Sequence, residues 1–258
     1  PAEAADRLRE LLQVIDPDDA AAQEVDRWAL MEALALADDR AAVRAVASEL
    51  DMELAPGDGP WDEPWGSVVV EMGSRDEPHR HLAHRTGPVT ARIIQPDPPD
   101  APDQHCFAEV VFHAAPVEPF PEDEEERARF LVTFPAIGTL RPSTRVSFEL
   151  EGVDPGQELW DELGESLRQQ DHVLWIVSSG YRLQESDTLE EVPGVYALLA
   201  VEPTTDLIAL DALLRSYVST WDRPMTWPTL AAAAGRPADE AREVVDRYRL
   251  QIPVPVDA

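Results

Sequence analysis

Between Arg75 and Arg92 the chain reads RDEPHRHLAHRTGPVTAR, with four arginines (Arg75, Arg80, Arg85, Arg92) and three histidines (His79, His81, His84) against only Asp76 and Glu77. Two chemistries suit these residue types. A His-x-His pair puts two imidazoles on one face of a strand, so His79, His81 and His84, completed by His105, Cys106 or His113, could ligate a divalent metal. The four guanidinium groups could instead form an anion site, because arginine pairs bidentately with phosphate or carboxylate. Pro78, the interposed arginines and the lack of an HExxH or CxxC spacing weigh against the metal, and no other cofactor is implied. The bland alternative is self-pairing, in which these arginines neutralise the protein's own acids, notably the run Glu122 to Glu126. Self-pairing is the reading we adopt from sequence.

The excess of acid gives that reading its weight. The 258 residues carry 51 acids against 21 basic residues, for a formal charge of −30, and every basic residue is arginine. The absence of lysine matches the codon bias of a high-GC bacterium, and salt adaptation is a second source of acidity. Net negative charge is ten over residues 1–60, six over 61–120, eleven over 121–200 and three over 201–258, so it thins around residue 80 and toward the C-terminus. Such a surface repels nucleic acid and anionic membranes and favours basic partners. The single cysteine excludes an internal disulfide and fits a reducing cytoplasm. No apolar run reaches the ~18 residues of a membrane span, and no signal segment opens the chain. Other catalytic signatures are missing: Ser178-Ser179-Gly180 lacks a G-x-S-x-G elbow, and there is no Walker loop or G-x-G-x-x-G.

The elements that must position these residues divide the chain into four stretches. Residues 1–54 read as three helices. Leu8, Leu11, Leu12 and Ile15 form the first apolar stripe, and Asp16-Pro17 is a cap with proline at the first helical position. Val25 to Leu36 and Val43 to Leu50 follow, the latter after Asp38-Asp39. Residues 55–66 (APGDGPWDEPWG) are a Pro/Gly/Trp linker in which Trp61 and Trp65 either pack or greet a partner, packing being favoured. Residues 67–203 read as a central, mostly antiparallel sheet, with strands at 67–72, 89–95, 106–113, 130–134, 145–150, 172–178 and 195–201 and one helix at 157–170. Arg145 to Leu150 alternates cleanly, which predicts one wet face. Residues 204–258 read as three helices, capped at Asp206 and turning at Gly235, with a wing-like strand at 251–256.

In that last stretch LAAAAGRPADEAREVV resembles the helix-turn-helix pattern, with Leu230 and Ala231 before the turn and Ala241, Val244 and Val245 buried after it. A DNA reader needs cations at the start of the second helix, whereas Asp239, Glu240 and Glu243 stand there and Arg242, Arg247 and Arg249 only restore neutrality.

The sequence therefore predicts an α+β fold: an N-terminal helical unit, a central mostly antiparallel sheet and a C-terminal three-helix, helix-turn-helix-like unit. The expected function is that of a non-enzymatic cytoplasmic interaction protein (adaptor, regulator or assembly subunit) that binds a protein partner, basic in character, through acidic and helical surfaces. Trp61, Trp65, Arg242, Arg247 and Arg249 are its candidate contacts. The alternatives are a metal- or anion-dependent enzyme using the 75–92 island and a DNA- or RNA-associated regulator using the C-terminal unit.

Overall fold

The structure is a computed structural model that describes residues 1–14, 19–57, 59, 61–74, 76–237 and 239–254. It divides into two compact units, residues 1–95 with 107–143, and residues 96–106 with 144–258. The segment 67–203 thus contributes strands to both.

The first unit starts with helices α1 (Ala2–Val14), α2 (Ala20–Leu36) and α3 (Arg40–Glu49). Two aspartates start the second and third: the Asp19 and Asp39 carboxylates accept from the Ala22 and Ala42 amides at 3.1 Å, satisfying N–H groups that the first turn leaves without a partner. The cap of α2 is thus Asp19, while Ile15, Asp16 and Pro17 lie outside the described residues. Leu30, Met31 and Leu34 of α2 pack with Val43 and Val46 of α3, and with Trp61, Val89 and Val111.

Those last contacts belong to a closed barrel of five strands: β1 (Ser67–Gly73), β2 (Pro78–Arg85), β3 (Thr90–Ile93), β4 (Glu109–Phe112) and β5 (Thr133–Arg141). Neighbours are antiparallel, but closure pairs β1 with β5 in parallel, Val69 against Thr133 and Val70 against Phe134. Here the expectation of one mostly antiparallel sheet is corrected. Five strands in sequential antiparallel order leave the first and last pointing the same way, so the closing seam has to be parallel; closing it removes the exposed edges. The interior holds Val68, Val70, Ala83, Ala91, Ile93, Val110, Phe112 and Phe134, with Phe112 and Phe134 stacked at 4.5 Å. Outside, α2 leans on the barrel where Gly138 of β5 leaves room: a Cβ there would stand 2.5 Å from Leu36 Cδ2.

Several elements differ from expectation, among them the hairpin of strands Val173–Gln184 and Glu191–Val201, which is longer than the runs 172–178 and 195–201. β2 is absent from the strands expected from sequence, because its alternating residues are His, Arg and Ala and not Val or Ile. β5 begins at Thr133, not Phe130, which ends the short helix α4 (Glu124–Arg129). No strand occupies 251–254, and residues 255–256 lie outside the described ones.

The second unit is a four-stranded antiparallel sheet ordered β7-β8-β6-β9, from β6 (Val146–Val153), β7 (Val173–Gln184), β8 (Glu191–Val201) and β9 (Met225–Thr226). One face is covered by α5 (Gln157–Arg168), α6 (Leu207–Val218) and α7 (Pro228–Ala233). There Leu150, Val195, Ala197, Leu199 and Val201 meet Trp160, Leu163, Leu214 and Leu230. Gly152 is required where β9 crosses, since a Cβ would lie 2.4 Å from the Pro224 carbonyl. The buried Asp211 of α6 accepts from Trp227 Nε1 (2.7 Å), Arg236 Nη2 (3.0 Å) and Arg215 Nε (3.0 Å), tying α6 to α7 and to the turn beyond it. Helix α8 (Asp239–Tyr248) follows Gly235, whose φ is 80°. Leu230, Ala231 and Ala241 are buried, whereas Val244 and Val245, expected to be buried with them, are half-buried.

Candidate functional site, a tyrosine and glutamate pocket

Alternation along β6 sends Phe148 and Leu150 toward the helices and Glu149 and Glu151 to the opposite face. On that face α8 and the segment after it cover only one end, through a small cluster of Val153, Leu183, Tyr248, Leu250 and Ile252. Beside this cluster a cavity of about 590 Å³ stays open, with Glu149, Glu151, Tyr181, Tyr196 and Tyr248 among its walls and Arg249 also lining it.

The two carboxylates are held differently. Glu149 Oε1 accepts from the Tyr196 hydroxyl at 2.7 Å. Glu151, only 5% exposed, accepts on Oε1 from the Tyr181 hydroxyl (2.9 Å) and on Oε2 from the amides of Gln251 (3.1 Å) and Ile252 (3.0 Å). Glu151 is therefore an anchor for the C-terminal segment, while Glu149 is the half-buried acid on the pocket wall. Burial and the bond to a carboxylate raise the pKa of both Tyr181 and Tyr196, and burial raises that of Tyr248. All three phenols stay neutral donors across the physiological range. Backbone detail places them: register shifts in β7 between Ile176 and Ser178 and between Ser179 and Tyr181, with Gly180 at φ 71°, re-aim Tyr181. Gly194 opposite leaves its ring room, since a Cβ there would lie 2.6 Å from Tyr181 Cε2.

The residues singled out from sequence lie elsewhere, except Arg249. Arg75 lies outside the described residues. Arg80 pairs with Glu71 (3.1 Å) and Glu118 (2.8 Å), and Arg92 reaches Asp62 and Glu109, each at 3.4 Å. Arg85 lies over the rings of Trp65, Phe112 and Phe134 at 4.7, 5.5 and 5.6 Å. It donates to the carbonyls of Gly87 (3.2 Å) and Pro88 (2.6 Å), and burial lowers its pKa to about 10. The described arginines of the island thus face three different sets of partners. Strand parity puts His79 with His81 and sends His84 to the other face of β2. His113 Nδ1 lies 2.7 Å from Glu32 Oε1, which also accepts the Ala114 amide, and in the second unit His105 Nδ1 lies 3.1 Å from Asp97 Oδ1. Cys106 is buried, its thiol pushed up to about 12. Trp61 is buried, Trp65 half-buried under Arg85, Arg242 pairs with Asp239 (3.3 Å) and Arg247 Nε with Glu185 Oε1 (2.6 Å).

Sequence reasoning passed over the pocket. Its signal was present: three of the chain's four tyrosines line it, opposite two acids in the strand whose alternation predicted a wet face.

No protein-family model and no curated protein matches the chain. Among solved structures it is similar to one titled "Novel crystal structure of a hypothetical protein from Neisseria gonorrhoeae", at 11% identity over 62% of this chain and 91% of that one, with a TM-score of 0.26. A likeness of that size carries no argument about fold or function. Among the described residues, no helix is long and apolar enough to cross a membrane.

Proposed function

We propose that the protein is a non-enzymatic interaction protein of the cytoplasm, an adaptor, regulator or assembly subunit, that binds a basic protein partner and takes one of its cationic side chains into the tyrosine and glutamate pocket. The supporting observation is Glu149, a half-buried carboxylate fixed by the Tyr196 hydroxyl on the wall of a pocket that also holds Tyr181 and Tyr248. A guanidinium or ammonium finds there both a charge-assisted acceptor and aromatic faces, the two interactions that recognise such cations. The −30 formal charge steers basic partners toward the whole surface. Proton-transfer chemistry has little to work with: the phenols are held neutral, both oxygens of Glu151 are engaged, and no histidine lines the cavity. The nucleic-acid alternative meets the exposed Asp239 and Glu240 in the first turn of α8, while Arg236 is taken up by Asp211 and Glu240.

The test is calorimetric titration of the full chain with a short peptide of alternating glycine and arginine. Binding should weaken by about tenfold in Glu149→Gln, the 1.4 kcal/mol scale of one charge-assisted contact, and should fall with added salt. Equal affinity in wild type and Glu149→Gln would remove the pocket from the reading, and turnover of a small molecule without capture of any basic partner would remove the reading itself.

A further inference from the structure

In the first unit, the loop Pro116 to Pro121 and helix α4 make a surface that the core does not need. None of the six residues of α4 is buried, yet the helix is built with care. Asp123 caps it through the amides of Glu125 and Glu126, both at 2.9 Å. Arg127 clamps it back onto the loop through the Pro121 carbonyl, at 3.0 Å from Nε and 2.8 Å from Nη2. The clamp presents Phe120, 53% exposed, edge-on to Phe130 at 6.2 Å, with Val117 and Leu131 also exposed. A concavity of about 570 Å³ runs beside them, lined by Pro121, Asp123, Glu125, Glu126, Arg129 and Phe130. Large exposed aromatic and aliphatic side chains gathered together mark interaction surfaces more often than solvated ones.

The charge around the patch identifies its occupant. Among the described residues the acidic run 122–126 pairs with no arginine of the island: Arg80 is taken by Glu71 and Glu118, and Arg92 by Asp62 and Glu109. Among the described residues, Glu122, Glu124, Glu125 and Glu126 make no ion pair at all. Arg127 is committed to backbone carbonyls. We propose that this patch docks a basic amphipathic segment of a protein partner, whose apolar side chain covers Phe120 and Phe130 while its arginines or lysines meet Glu122 to Glu126. Desolvating an aromatic pair supplies affinity, and the acidic lip selects and steers the partner. This surface lies in a different unit from the pocket and does not depend on it.

The probe is a fluorescein-labelled lysine and leucine peptide with helical spacing, titrated against the full chain by anisotropy. Saturable binding is expected, weaker by about tenfold or more in Phe120→Ser, the loss expected for an interface anchor. It should also weaken several-fold in the double variant Glu125→Gln, Glu126→Gln. All these side chains are exposed, so thermal unfolding should match wild type. The same peptide with serine for every leucine should bind at least about tenfold more weakly, by the same anchor reasoning. The proposal is overturned if both variants bind the probe as wild type does, or if the serine peptide binds equally well. It is also overturned if sedimentation shows a dimer that Phe120→Ser dissolves, since the patch would then belong to a second copy. Displacement of the probe by the glycine and arginine peptide would place it in the pocket, ending this proposal and leaving the other standing.

Discussion

Replacing Glu151 should detach the chain segment that follows α8. Its carboxylate is the meeting point of three donors, the Tyr181 hydroxyl and the Gln251 and Ile252 amides, at 2.9–3.1 Å and 5% exposure. Hydrogen bonds to a charged acceptor are worth about 1.5–3 kcal/mol each, and a buried donor left without a partner costs about 1–3 kcal/mol. In Glu151→Gln the amide oxygen can serve both backbone N–H groups while its NH2 donates to the phenol oxygen, so three contacts survive without the charge. With neutral bonds about half as strong as charge-assisted ones, the expected loss is about 2–4 kcal/mol. Glu151→Ala keeps none of them. Gln251 is exposed and can turn to water, but Ile252 is 4% exposed and its amide is stranded, so the loss should rise to about 4–5 kcal/mol. What remains is the small cluster of Val153, Leu183, Tyr248, Leu250 and Ile252, which is peripheral to the main core of the unit. Opening should therefore be local at first. Amide hydrogen exchange at Ile252 reads it directly. A loss of about 2–4 kcal/mol predicts exchange faster by roughly 30- to 1,000-fold in Glu151→Gln, and faster still in Glu151→Ala, with a smaller change in the urea midpoint. If Ile252 in Glu151→Ala exchanges within about twofold of wild type, the carboxylate is not what holds the segment, and the division between Glu151 as anchor and Glu149 as contact fails.

Three further outcomes follow from the same structure. Cys106, buried with its thiol pushed up to about 12, should resist a thiol reagent at about pH 8 in the folded protein and react fully in denaturant. His172 is 8% exposed, and burial, followed by the charge of Arg145, lowers its pKa despite the opposing pull of Asp171. The unfolded chain then binds a proton that the fold refuses. Stability should fall as pH drops below about 6.5, and urea midpoints at about pH 7.5 and 5.5 should differ less in His172→Asn than in wild type. Asp211→Ala removes the acceptor of Trp227 Nε1 and the buried counter-charge of Arg236 and Arg215, and should cost about 3–5 kcal/mol in thermal unfolding with a shift in tryptophan emission.

The parts of the fold legible in the sequence were those in which one residue type has one physical reason. Asp39 and Asp206 announce helix starts because a carboxylate before an apolar stripe satisfies free amides, and both cap as read. The alternation at 145–150 announced a two-faced strand, and β6 buries Leu150 on one side and opens Glu149 on the other. The barrel was not legible, because closure belongs to register and strand count and not to any local pattern. β2 hid for a related reason: His81, 6% exposed, and Arg85, under three rings, sit at positions where hydropathy expects Val or Ile. The hairpin of β7 and β8 runs past the strand ends expected at 178 and 195, with Gly180 beside a bulge and Pro193 paired with Arg182.

The same distinction separates the two candidate surfaces. Charge in the sequence counts residues, while a binding surface depends on which charges are left over after folding. The basic island stood out by composition, yet Arg80 and Arg92 are neutralised by Glu71, Glu118, Asp62 and Glu109, acids scattered through an unremarkable background. Sequence made the run 122–126 the counterpart of that island, whereas its glutamates make no ion pair among the described residues and stand beside the exposed Phe120 and the half-buried Phe130. A long guanidinium finds an acid across neighbouring strands, whereas the five consecutive acids 122–126 at the start of one short helix cannot be matched by the two arginines beside them. Arg127 is turned to backbone carbonyls, and Arg129 makes no ion pair among the described residues. In a chain this acidic, the residual charge therefore gathers where acids are adjacent in sequence, and that is where a basic partner gains most.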